Sequence, residues 1–114
     1  MIQTLPREGE LDKNSLRNAI ENGQIEWQLH ALERMLERGV SRRDVFQVLL
    51  SGEQIEDYPN DDPFPSALFL GWKENEPLHI VVALDSVDQR GYIITTYRPD
   101  LEHFEPDFKT RRKR

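Results

Sequence analysis

Apolar positions recur at helical spacing through the first half of the chain and alternate through the second. Leu11, Leu16 and Ile20 predict a short helix over residues 12–21, with Gly23 as its stop. Leu29, Leu32, Met35 and Leu36 form the apolar stripe of a second helix over 26–38, and Gly39 supplies its left-handed cap. Ser41 followed by Asp44 reads as an N-cap with a capping-box partner, opening a third helix over 42–50 whose apolar face is Val45, Phe46, Val48, Leu49 and Leu50. Ser51 and Gly52 close it.

Beyond Gly52 the spacing becomes that of strands: 54–58, 67–72, 78–85 and 91–98. Pro59, Pro63 and Pro65 keep the intervening acidic loop out of any ladder. The connections at 73–77 and 86–91 are short enough for antiparallel hairpins. Helices first and strands after predict an α+β fold, with N-terminal helices packed on one face of a four-stranded antiparallel sheet. One domain is expected over residues 1–105. Alternation in the last strand groups Ile93, Thr95 and Tyr97 on one face, and Tyr92, Ile94, Thr96 and Arg98 on the other.

The second helix carries more than a core stripe. His30, Arg34 and Arg38 follow at steps of four, each advancing by about 400°, so the three nitrogen-rich side chains form one row. As a solvated face the row would pair Arg34 with Glu37 and His30 with Glu26. Yet Arg34 with Arg38, and Glu33 with Glu37, are like-charge neighbours, each unfavourable by about 0.2–0.5 kcal/mol. An anion would relieve the arginines, and guanidinium groups grip phosphate or carboxylate through paired, charge-assisted hydrogen bonds. His30 beside them is a group able to take or give a proton. The last strand offers a second polar set: the hydroxyls of Thr95 and Tyr97 with the charge of Arg98, suited to phosphate and a stacked base. His79 lies on a strand otherwise fit for the core, and Tyr58 and Trp27 read as packing residues.

Composition narrows the classes. The net charge of −6 argues against a general nucleic-acid coat. The charge is uneven: Glu53, Glu56, Asp57, Asp61 and Asp62 fall within ten residues, whereas Lys109, Arg111, Arg112, Lys113 and Arg114 make the end basic. Residues 106–114 are expected to form a disordered basic tail. The chain has no cysteine, no apolar run long enough for a membrane and no leader-like start, so a cytoplasmic protein is expected. His30, His79 and His103 lack the spacing of a zinc motif; neither metal nor cofactor is expected.

Residues 30–39, 45–59, 77–82 and 93–99 together resemble the DUF4258 family of small bacterial proteins, and the pattern is similar to toxins of the RelE and MqsR type. That resemblance implies a RelE-like fold, an antitoxin partner and metal-independent RNA cleavage by attack of the ribose 2′-hydroxyl on its own phosphate. His30, Arg34 and Tyr97 would then be catalytic, with Arg38, Thr95 and Arg98 binding substrate. The alternative from the residues themselves is a non-catalytic module that docks an acidic partner through the His30/Arg34/Arg38 row. The surroundings of His30 separate the two: catalysis needs it in a cleft facing Thr95 and Tyr97, docking leaves it convex and exposed.

Overall fold

A computed structural model describes residues 11–113. In chain order its elements are α1 (Lys13–Glu21), β1 (Ile25–Trp27), α2 (Leu29–Arg38), α3 (Arg42–Ser51), β2 (Glu53–Tyr58), β3 (Ser66–Lys73), β4 (Glu76–Asp85) and β5 (Arg90–Tyr97). The helix ends follow their local chemistry. The Asp12 carboxylate accepts from the backbone N–H groups of Asn14 and Ser15 to start α1. Gly39, at φ 65°, ends α2 in the left-handed region. Ser41 and Asp44 complete the expected capping box at 3.0 and 2.8 Å. Asp44 also pairs with Lys73 at 2.9 Å, which ties the α2–α3 corner to the β3–β4 turn.

The sheet differs from the four antiparallel strands expected. It has five strands in the order β1-β5-β4-β3-β2, and β1 pairs parallel to β5, so the sheet is mixed. Sequence spacing starts the second helix at residue 26, but Glu26 and Trp27 belong to β1; three residues are too few to show a period, and the helix begins only at Leu29. Ile25 faces Gly91 across the ladder and Trp27 faces Ile93.

A bulge changes the parity of β5. Val81 faces Thr95 but Val82 faces Ile93, so Ile94 is an extra residue and the two ends of the strand alternate out of phase. Ile93 therefore joins Leu78, Ile80, Val82 and Leu84 in the core under the helices. Tyr92, Thr95 and Tyr97 share the opposite face with His79, Val81 and Ala83. The expected grouping of Ile93 with Thr95 and Tyr97 is thus broken.

One core fills the space between helices and sheet. Leu16 of α1, Ala31 and Met35 of α2, and Val45, Val48 and Leu49 of α3 meet Ala67, Phe69, Leu78, Ile80, Val82 and Ile93 of the sheet. Gly71 permits the approach of α3: a Cβ there would stand 2.6 Å from a Val48 methyl. Leu29 and Leu36, assigned to the apolar stripe of α2 by sequence, are instead 71% and 86% exposed.

Residues 99–113 cross the sheet face that the helices leave free. Backbone bonds between Glu105 and Thr110 and between Arg112 and His103 fold this strap into a small hairpin. Phe104, 2% exposed, packs edge-on to His79, and Phe108 meets Trp72. Residues 106–113, expected as a disordered tail, pair with β2 through Lys109–Glu53 at 2.8 Å and Arg111–Glu56 at 2.8 Å. The physical reason is that Phe104 and Phe108 anchor the strap while the carboxylates of β2 neutralise its cations. Arg114 lies outside the described residues.

Candidate functional site

The sequence-derived site residues divide between the two faces of the sheet. His30, Arg34 and Arg38 are exposed on α2, whose Ala31 and Met35 pack on the helix side. Among the described residues, none of the three side chains makes a hydrogen bond or an ion pair. Glu26, the expected partner of His30, pairs instead with Arg90 at 2.7 Å. Thr95 and Tyr97 lie on the opposite face, so the sheet separates them from His30. Alternation carries Arg98 to the helix side, where it meets Glu76 at the β3–β4 turn. The structure thus keeps the α2 row together and joins Thr95 to Tyr97, but brings neither Tyr97 nor Arg98 to His30.

Two exposed leucines complete the α2 face. Leu29 and Leu36 are seven residues apart, a step that returns within about 20° of its starting direction, so they line one flank of the helix. Arg34 and Arg38 line the other flank, with Glu33 and Glu37 between. This is a convex surface with apolar and cationic edges, not a cleft.

The face opposite the helices holds a denser polar group. His79, fully buried, lies 2.7 Å through Nε2 from the carbonyl oxygen of Phe108 and 3.1 Å through Nδ1 from the Tyr97 hydroxyl. A carbonyl only accepts, so Nε2 carries the proton and donates, and Nδ1 accepts from Tyr97. Burial pushes the His79 imidazolium towards deprotonation, with the Arg111 charge adding to it against the opposing pull of the Phe108 carbonyl. Burial likewise raises the Tyr97 hydroxyl above its ordinary value.

Next to this pair, Glu56 receives two N–H bonds from Arg111, at 2.8 and 3.0 Å, and one hydroxyl bond from Tyr58. Burial works to raise the Glu56 carboxyl, but those donors hold it below its usual range. The guanidinium also stands beside the hydroxyls of Tyr58 and Tyr97 and over the Phe104 ring, 5.0 Å from its centroid. Sequence reasoning reads His79 and Tyr58 as core or packing residues and gives Glu56 and Arg111 no place in a site. The available signal was alternation, which puts Glu56 and Tyr58 of β2 on the same face as His79; nothing in the sequence brings Arg111 to them. A shallow cleft of about 580 Å³ opens beside Tyr58, floored by Ser66 and Val81 and rimmed by Asp57 and Asp61.

Among the described residues, Asp100, Glu102 and His103 are the one carboxylate–imidazole group whose ligand atoms lie within 4.8 Å of one another, and all three are exposed. The Asp100 carboxylate already accepts from the backbone N–H groups of Glu102 and His103 and bonds His103 Nδ1 at 2.8 Å, so local turn chemistry accounts for the grouping. No helix among the described residues is long and apolar enough to cross a membrane.

A family model described as a domain of unknown function, DUF4258, matches residues 27–98. It spans α2, α3 and β2 to β5 and ends before the strap. No curated protein and no solved structure is similar enough to match.

Proposed function

This chain belongs to the DUF4258 family, and for it we propose a protein-docking role in which the α2 face receives an acidic, leucine-bearing helix of a partner. One observation carries the reading: an exposed helix bears Leu29 and Leu36 on one flank, and on the other the row His30, Arg34 and Arg38, whose side chains no described residue pairs. Carboxylates of the partner satisfy the guanidiniums, and its apolar side chains cover the leucines. RNA phosphates would meet the arginines but offer nothing to the leucines. If the toxin likeness expected from sequence holds for function, such a partner is of the antitoxin type.

The test is fluorescence anisotropy with a labelled synthetic helix carrying leucine every seven residues and glutamate at i,i+4, beside a lysine-for-glutamate control. The wild-type chain is expected to bind the acidic helix, with Arg34→Glu and Leu36→Ser each weakening it about tenfold, the equivalent of about 1.4 kcal/mol. Equal binding of the lysine control, or no change in Arg34→Glu, sinks the reading.

A second reading, metal-independent RNA cleavage through 2′-hydroxyl attack, is favoured by the Tyr97 hydroxyl held 3.1 Å from His79 with Arg111 alongside. It moves the chemistry from His30 to the face opposite the helices: Tyr97 takes the 2′-hydroxyl proton as it passes its own to His79 Nδ1, the relay reverses to protonate the leaving 5′-oxygen, and Arg111 offsets charge on the phosphate. Labelled single-stranded RNA incubated at low salt with EDTA distinguishes it. Cleavage that vanishes in Tyr97→Phe and persists in His30→Ala supports it, and intact RNA from the folded wild-type chain excludes it.

A further inference from the structure

The strap ends on a motif that fits β2 in register. Glu53 and Glu56 are three residues apart in sequence, yet the bulge between Gln54 and Glu56 sets them opposite Leu70 and Leu68, only two positions apart along β3. Two residues of extended chain span about 7 Å, the separation of alternate side chains on one face. Lys109 and Arg111, on either side of Thr110 where the strap leaves its turn, meet Glu53 and Glu56 one to one. The arginine position is the more elaborate. Glu56 grips the guanidinium with both oxygens, the Tyr58 hydroxyl donates to the same carboxylate, and Tyr97, fixed by the buried His79, closes the far side. A lysine ammonium cannot make that two-pronged contact.

The socket and its occupant also belong to different parts of the chain. Glu56, Tyr58, His79 and Tyr97 all fall within the family-matched residues 27–98, whereas Arg111 lies beyond them. The socket remains open to solvent on one side: the Arg111 side chain is 53% exposed. We propose that Glu56, Tyr58 and Tyr97 form an arginine-binding site whose ligand class is a basic peptide of the pattern Lys-x-Arg, and that the strap occupies it as an internal ligand. An incoming peptide competes with residues 109–111, so access to the site is set by release of the strap. This surface is separate from the α2 face; it shares Tyr97, His79 and Arg111 with the cleavage reading but requires no chemistry there.

The experiment uses the full-length chain with Arg111→Ala, which empties the socket. Arginine amide, lysine amide and a peptide of residues 107–112 are titrated while the ring signals of Tyr58, Tyr97 and His79 are followed by NMR. Arginine amide is expected to give saturable shifts in Arg111→Ala and none in wild type, to exceed lysine amide at least about tenfold, and to lose its effect when Glu56→Gln is added. If losing Arg111 frees the whole strap, the peptide is expected to bind that variant in a Glu56-dependent way. The proposal is overturned if neither probe binds Arg111→Ala, if lysine amide binds as well as arginine amide, or if Glu56→Gln leaves binding intact.

Discussion

His79 is the residue whose surroundings most constrain its chemistry. It is fully buried, donates to the Phe108 carbonyl and accepts from Tyr97, and burial favours its neutral form. An unfolded chain therefore binds a proton at His79 at a pH where the folded chain does not. With the folded pKa below the ordinary value near 6.5, stability is complete above that value and declines as pH falls beneath it. The slope cannot exceed one proton, or about 1.4 kcal/mol per pH unit. Denaturant titrations between pH 5 and 8 are expected to show this decline in wild type and a flatter profile in His79→Gln; equal slopes would contradict it. Gly71 is constrained by space instead. A methyl there would press on Val48, so Gly71→Ala is expected to cost about 1–3 kcal/mol, read from the urea midpoint.

At the scale of elements, the strap gives the clearest prediction. Its buried aromatic anchor is Phe104, and removing such a ring from a packed site costs about 3–5 kcal/mol when the surroundings do not close. Phe104→Ala is expected to raise amide exchange at residues 104, 105, 108 and 112, which bond within the strap or back to it, while the amides of β4 keep their protection. Simultaneous loss of both would show that strap and sheet unfold as one unit. The same elements show what a sequence can and cannot disclose. Caps are written locally, and so Gly39 and the Ser41–Asp44 pair announced the end of α2 and the start of α3. Register is not local. The bulge that splits Ile93 from Thr95 depends on how β5 meets β4, and β1 is a strand only because β5 lies beside it. The strap was hidden for a related reason: a run of cations looks solvated until the carboxylates of β2 are placed opposite it. The α2 row was legible because helical spacing is local, whereas its separation from Tyr97 required knowing which sheet face the helices cover.

Taken whole, the molecule carries its two polar surfaces on opposite sides of one sheet: a cationic and leucine-edged helix face, and a tyrosine–histidine face guarded by acidic β2. The net charge of −6 repels polyanions at long range, so any anionic partner of α2 is drawn in by local contacts rather than by the field of the molecule. Added salt is then expected to speed association of the acidic probe helix with the wild-type chain at low ionic strength by screening that repulsion, a dependence measurable by stopped flow. Slowing by salt would mean that the local cations dominate the encounter.

The parallel pairing of β1 with β5 also bears on the order in which the chain assembles. Ile25 meets Gly91 across most of the described sequence, whereas β2 to β5 join through neighbouring hairpins. Closing so long a loop is entropically costly until the hairpins have brought β5 into place, so β1 docks last. Ile25→Ala is accordingly expected to accelerate unfolding and leave the folding limb of the chevron unmoved. On the ribosome, β1 and the β4 edge that β5 covers would both stay unpaired until β5 has emerged, leaving the nascent chain briefly open to strand addition by a neighbour.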